Sequence, residues 1–431
     1  MATRLSEYAL ATPTWFPTQP QFGCTPDTLR DALTPRVTPL ARVRAHMLMQ
    51  EAVWYALAAA TLARAARRRE VAIWLGLALL GAALEAVGVL LTHEHMHPRY
   101  AVMLGFLPLK EALWYPFTIY TSWVAASFVG LRDPVAEALL TALVQTVNVV
   151  QYESVAYRVG VQYVSFNPNF PLANVNDQIT KAPWINIYAN WAIAFAGAYC
   201  ARAAADSPRA GAVEKAAVVG LLGLVLFCVV GMAPLNAFKA LGCALEHASP
   251  LPALRDMERV QSAGEAARLF VDAYGSCARR SAVTESQVVA FVLLASGAYV
   301  AFALRSSLLS RDPDHLSRTR ARWSVPDATL VVSVPTVYHL FIGMIALVVD
   351  HDGGVGAGQS LMLWLTCAVT STAVSLFLSL GLFSWSSSPR SSFVTTMHAM
   401  AERGVVVGGE AAAAPEPIPA ASADGKAKKE Q

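Results

Sequence analysis

Apolar residues run along this chain in long blocks, separated by short joins rich in Arg, Pro, Gly or Asn. About 20 consecutive apolar residues is the length an α-helix needs to cross the hydrocarbon layer of a bilayer. On that pattern, spans fall near 47–66, 71–91, 103–127, 134–157, 184–203, 214–234, 286–308, 327–349 and 359–384. The expected fold is therefore all-α, a polytopic transmembrane helical bundle of about nine spans.

The blocks also divide the chain. Residues 1–45 read as a polar N-terminal leader without a short apolar core and cleavage-like site, so the first block is expected to be a retained anchor. Residues 46–234 form a six-span membrane core with short joins. Residues 235–285 make an extramembrane connection in which Met257, Val260, Ala263, Ala267 and Phe270 have the spacing of a surface amphipathic helix. Three further spans occupy 286–384. The tail, 385–431, turns to Ala, Gly, Pro, Glu and Lys, too poor in apolar area to fold alone, and is expected to be disordered and cytoplasmic.

Composition agrees with a membrane class: 55% of the 431 residues are hydrophobic and only 15% charged, against roughly 25% charged in a soluble domain. The net charge of +3 carries no nucleic-acid pattern with it. Basic residues crowd the joins after alternate blocks: Arg64, Arg67, Arg68 and Arg69 after the first, Arg202 and Arg209 after the fifth, and Arg305, Arg311, Arg318, Arg320 and Arg322 after the seventh. With nine spans, that bias puts the N-terminus outside or in the lumen and the C-terminus in the cytoplasm. Six cysteines make no disulfide scaffold, though on this topology Cys243 and Cys277 share the outer side and can pair or remain free thiols.

Polar residues inside apolar blocks carry the functional signal, because an ionisable side chain in hydrocarbon costs several kcal/mol unless paired or hydrated. Glu85 sits well inside the second block beside Gly81 and Gly88, and desolvation would favour its neutral form. Its roles include general acid, proton relay and structural partner of Lys110. Glu111, Tyr115, Thr118 and Ser122 lie on one helical face. Gln145, Asn148 and Tyr152 align on the fourth block, and Asn186 and Asn190 on the fifth. The catalytic candidates are Glu85, Glu111 and Glu153. The residues expected to line an outer-side polar cavity are Glu51, Lys110, Tyr115, Asn148, Tyr152, Asn186, Asn190 and His339. Asp327, following Pro326, has the position of a helix cap.

The run His93, Glu94, His95, Met96, His97, Pro98 ends the second block. If the helix continues that far, His93 and His97 project to one side, and with Glu94 they form a candidate site for a divalent first-row metal. The spacing is not that of a zinc peptidase. A hydrated interfacial histidine cluster, metal-free catalysis and pH sensing are the alternatives.

Glu85, Gly88, Tyr100, Pro116 and Trp123 follow one another in the order E, G, Y, P, W. In that order, residues 85–123 resemble the membrane carotenoid hydratases, which add water across a carbon-carbon double bond of a long polyene. The chain as a whole resembles an uncharacterised multi-pass membrane family of algae and protists. The hydratase resemblance implies that Glu85 protonates the alkene, that Glu111 or Glu153 orients water, and that the helices hold a lipid or isoprenoid ligand. Three readings stay open: an enzyme modifying a lipid or isoprenoid, a proton-coupled transporter or channel, and a membrane sensor or scaffold. The expected partners are the lipid bilayer and such a ligand, with no nucleic acid.

Overall fold

The computed structural model describes residues 35–37, 45–86, 95–96, 100–105, 107–159, 163–164, 178–179, 182–235, 237–238, 284–309, 324–349 and 356–379. Its helices, in chain order, are α1 (Ala45–Arg68), α2 (Val71–Ala86), α3 (Leu109–Ser127), α4 (Pro134–Val159), α5 (Trp184–Ala205), α6 (Ala212–Leu235), α7 (Glu285–Leu309), α8 (Val325–Val349) and α9 (Gly356–Ser379). Short strands join them: β1 (Pro35–Val37), β2 (His95–Met96), β3 (Val102–Leu104), β4 (Leu107–Pro108), β5 (Tyr163–Val164), β6 (Gln178–Ile179) and β7 (Ala182–Pro183).

Helices occupy the expected windows, but reading each as a membrane crossing is overturned. Among the described residues only α6 over Ala212–Leu235, α7 over Glu285–Ser306 and α8 over Val325–Ile345 are long and apolar enough to cross a membrane. The protein is a largely helical integral membrane protein with three such helices among the described residues, not about nine. The reason is local. Over its described residues α2 covers 16 positions, which at 1.5 Å per residue reach about 24 Å, short of a roughly 30 Å hydrocarbon layer. In α1, α3, α4 and α5, buried polar side chains such as Gln50, Glu51, Lys110, Glu111, Gln145, Asn148, Asn186 and Asn190 dilute the apolar run. The sidedness expected from nine crossings rested on that count.

Other expectations shift at the helix ends. Residues 103–108, expected to begin a span, instead form the β3–β4 hairpin, whose tight turn needs Gly105 at φ 65°. β1 pairs antiparallel with β3, making a three-stranded ribbon. α2 ends at Ala86, and His95–Met96 pairs as an extended strand with Tyr163–Val164. His93, Glu94 and His97 themselves lie outside the described residues.

The core forms where α3, buried along nearly its whole length, meets α1, α2, α4 and α8. Trp54, Phe117, Tyr338 and Phe341 pack ring against ring there, with Trp54 wholly buried. Small residues allow the outer helices to approach. A Cβ on Gly76 would lie 2.6 Å from Val219 Cβ and 2.8 Å from the Ala216 carbonyl oxygen, and one on Gly231 would lie 2.7 Å from Ala192 Cβ. α6 opens into π-helical turns at 218–222 and 227–232, and the Gly231 carbonyl accepts a 2.6 Å bond from the Tyr188 hydroxyl. α7 turns Phe291, Leu294 and Phe302 outward, as suits a lipid-facing helix.

Gly76→Val should therefore cost about 1–3 kcal/mol, since the added atoms meet a backbone carbonyl that cannot rotate away. A thermal unfolding series in detergent should show a lower midpoint for Gly76→Val and little change for Gly297→Ala, where a Cβ meets nothing within 4 Å.

Candidate functional site

The polar interior has three levels. At the first, α1 brings Glu51, which accepts the Ala101 N–H at 2.8 Å, the Val102 N–H at 3.1 Å and the Tyr55 hydroxyl at 2.9 Å. The ribbon containing β3 thus docks on α1 through a carboxylate. On the preceding residue, the Gln50 side-chain carbonyl accepts the Tyr100 hydroxyl at 2.8 Å, and its amide donates to Tyr152 Oη at 3.4 Å. Tyr152 in turn donates to Glu111 Oε1 at 3.3 Å. Lys110 donates to the same oxygen and lies 4.3 Å from the Tyr100 ring centroid, with no exposed surface.

Glu85, near the C-terminal end of α2, accepts the Tyr115 hydroxyl at 2.5 Å. Gly81 makes that bond possible: it stands directly against the Tyr115 side chain, and a Cβ there would overlap the ring. The Lys110 ammonium feels Glu111, Glu85 and Glu51, yet burial outweighs them and lowers its pKa. Burial, reinforced by Glu85, raises Tyr115 well above an ordinary phenol, and burial with Glu111 does the same to Tyr152. Both phenols accordingly remain protonated donors. Glu153 lies on α4 next to Tyr152 and accepts a 3.4 Å bond from Asn190 Nδ2, which also donates to the Asn186 carbonyl at 2.8 Å.

The second level lies deeper. Thr118, Ser122, Gln145 and Asn148 interlock across α3 and α4: Gln145 Nε2 donates to Thr118 Oγ1 at 3.0 Å, and Ser122 donates to Gln145 Oε1 at 3.1 Å. Asn148 Oδ1 accepts Ser371 of α9 at 2.5 Å and lies 3.2 Å from His339 Nε2 of α8. Beside this cluster is a cavity of about 10 Å³ lined by Phe117, Thr118, Thr121, Asn148, Val334, Pro335 and Tyr338.

Ion pairs close the third level, at the opposite end of α1. Asp327 binds Arg64 at 3.1 Å and Arg68 at 2.5 Å, while Arg64 also meets Glu70 and Tyr120. Arg202 pairs with Glu137 and Asp206, both at 2.5 Å, and Trp123 Nε1 donates to Glu137 at 3.1 Å. Asp327 is thus a partner for arginine; the first turn of α8 is capped by Ser324, whose hydroxyl accepts the Asp327 N–H at 3.3 Å.

Among the sequence candidates, Glu51, Glu85, Lys110, Glu111, Tyr115 and Tyr152 come together at the first level, with Glu153, Asn186 and Asn190 on the adjoining faces of α4 and α5. Asn148 and His339 meet at the second. His93, Glu94 and His97, and the cysteines Cys243 and Cys277, lie outside the described residues. Among the described residues no group of three or more His, Cys, Asp and Glu could hold a metal ion. Sequence reasoning missed Gln50, Tyr338 and the Arg64–Asp327 and Arg202–Glu137 pairs. Gln50 had a signal in its place beside Glu51 within an apolar block; the ion pairs had none, because their members are far apart along the chain.

Comparison with family models, curated proteins and solved structures returned no match for the chain. The geometry alone carries the functional argument.

Proposed function

We propose that this protein is a proton-coupled transporter or channel, with the Glu51, Glu85, Lys110 and Glu111 cluster as its proton-exchange site. The observation that carries this reading is the buried Lys110–Glu111 pair, to which Tyr152 also donates, beside the contact of Tyr115, on the same helix, with Glu85. Ionisable groups gathered in a buried interior are costly, and membrane proteins keep them where they serve a path for ions or protons. Tyr115 and Tyr152 keep their protons and present them to Glu85 and Glu111, which lets a proton move by short exchanges between hydrogen-bonded groups.

The test is proton flux into liposomes carrying the full chain and an internal pH dye, under an imposed pH gradient and with or without a mixture of small organic solutes. Wild-type protein should acidify the lumen faster than empty liposomes, and Glu85→Gln should lower the rate at least tenfold while the protein still elutes as a folded species. Wild-type flux equal to that of empty liposomes under both conditions rejects the reading.

The close Tyr115–Glu85 contact favours a second reading, modification of a lipid or isoprenoid, because a carboxyl group clasped by a protonated phenol suits proton transfer to an apolar double bond. In that reaction the alkene gains a proton at one carbon and water oxygen at the other, releasing a proton to the second carboxyl. Mass spectrometry of a total lipid extract incubated with the protein should then reveal a water-mass gain lost in Glu85→Gln.

A further inference from the structure

We infer that the turn between α1 and α2 is a binding site for the phosphate of an anionic membrane lipid, held by Arg67, Arg68 and Arg69. The inference goes beyond the transport reading and is independent of it.

Arg69 departs from what its place in the chain asks for. α1 closes with two backbone bonds, from the Glu70 N–H to the Ala65 carbonyl at 2.7 Å and from the Arg69 N–H to the Ala66 carbonyl at 3.2 Å. In that closure the residue just past the helix end is left-handed, and glycine is its common occupant because it has no Cβ to clash. Here the position is Arg69 at φ 59°, a left-handed conformation taken by no other non-glycine residue among the described residues. Strain kept at a charged side chain points to work for that side chain. Basic residues in the last turn complement the helix dipole, which accounts for Arg67 and Arg68. It does not account for an arginine where the backbone calls for glycine.

The charges around the turn are sorted. Glu70 binds Arg64 and Tyr120, and Asp327 is buried against Arg64 and Arg68. Both carboxylates are thereby occupied. Arg67 and Arg69 are exposed, and neither has an ion pair or side-chain hydrogen bond among the described residues. Arg68 is held in place, with Nε at 3.0 Å and Nη2 at 2.5 Å from one Asp327 oxygen, and its Nη1 is uncommitted. The turn thus offers guanidinium donors with no free carboxylate beside them, the chemistry that recognises a phosphate through paired N–H bonds.

Depth decides between a lipid and a soluble anion. Two membrane-crossing helices, α6 and α8, begin level with this turn. Asp327, the partner of Arg68, lies in the first turn of α8. Ala216 and Val219, near the start of α6, stand against Gly76 in the second turn of α2. A crossing helix begins in the headgroup layer, so the arginines stand at the depth of lipid phosphates, where clustered basic residues attract anionic lipids.

Native mass spectrometry of the full chain in a neutral detergent, with dioleoyl phosphatidic acid or dioleoyl phosphatidylcholine added at equal concentration, tests the site. Wild-type protein should retain at least fivefold more of the phosphatidic acid. Arg67→Gln, an exposed change, should cut that excess at least threefold at an unchanged unfolding midpoint. Arg69→Gly should cut it as far and raise the midpoint in lipid-free detergent, since glycine takes a left-handed turn without strain. Equal retention of the two lipids overturns the site, and so does an excess that both variants keep. A lower lipid-free midpoint for Arg69→Gly would show that Arg69 serves the fold, which overturns the argument from its strain. Displacement of the phosphatidic acid by inorganic phosphate at equal concentration overturns the lipid as occupant in favour of a soluble phosphate. None of these readouts uses proton flux, so failure here and failure of the transport reading are separate results.

Discussion

Asp327→Asn is expected to be among the most damaging single changes in the chain, costing about 3–5 kcal/mol and collapsing the yield of folded protein. Asp327 is 2% exposed and receives both Arg64 and Arg68, and Arg64 is itself 4% exposed. Removing one member of a buried ion pair leaves the other charge without compensation, which is where the large penalty arises. Here the orphan would be Arg64, retaining Glu70 and Tyr120 on one side only. Asn keeps the size and one acceptor oxygen, so the loss reports charge and not packing. Arg68→Gln supplies the contrast: its side chain is about one-third exposed, and solvent-exposed members of ion pairs contribute about 1 kcal/mol or less. Thermal unfolding followed by size exclusion should rank Asp327→Asn far below Arg68→Gln. Equal midpoints would mean that the network does not hold α8 to α1.

That network also marks the limit of what the sequence reveals. Arg64 and Arg202 each look like the first basic residue of a cytoplasmic join, yet both lie within helices and point into the protein against acids on other helices. Periodicity places a residue on a face of its own helix but does not say which helix that face meets. Where polar residues recur at helical spacing, the reading went further: the stripe Glu111, Tyr115, Thr118, Ser122 and the stripe Gln145, Asn148, Tyr152 meet across the α3–α4 contact. The same buried polarity misled the count of crossings. Blocks that look apolar enough when averaged loosely carry Gln50, Glu51 or Lys110 at their ends, and these serve the protein interior instead of facing lipid. The β3–β4 hairpin was hidden because its six-residue stretch, Met103 to Pro108, is as apolar as the start of a helix; only Gly105 and Pro108 betray it.

Lys110→Met should cost about 3–5 kcal/mol, because the buried carboxyls of Glu111, Glu85 and Glu51 would lose the ammonium that all three act on. Glu111→Gln alone should also destabilise, leaving the ammonium against a neutral amide. The double variant Lys110→Met with Glu111→Gln should be more stable than the sum of the two losses predicts, by about 2 kcal/mol, since it removes a charge of each sign from the dry interior together. Unfolding midpoints for the four proteins of this cycle measure that coupling, and strict additivity would show that the two groups do not act as an ion pair. The double variant then separates stability from function. If Lys110 and Glu111 only fasten α3 into the bundle, a folded double variant should pass protons at the wild-type rate. If the cluster exchanges protons, the double variant should fold and yet carry less than a tenth of the wild-type flux, because Tyr152 would donate to an amide that cannot take up and release a proton in its place.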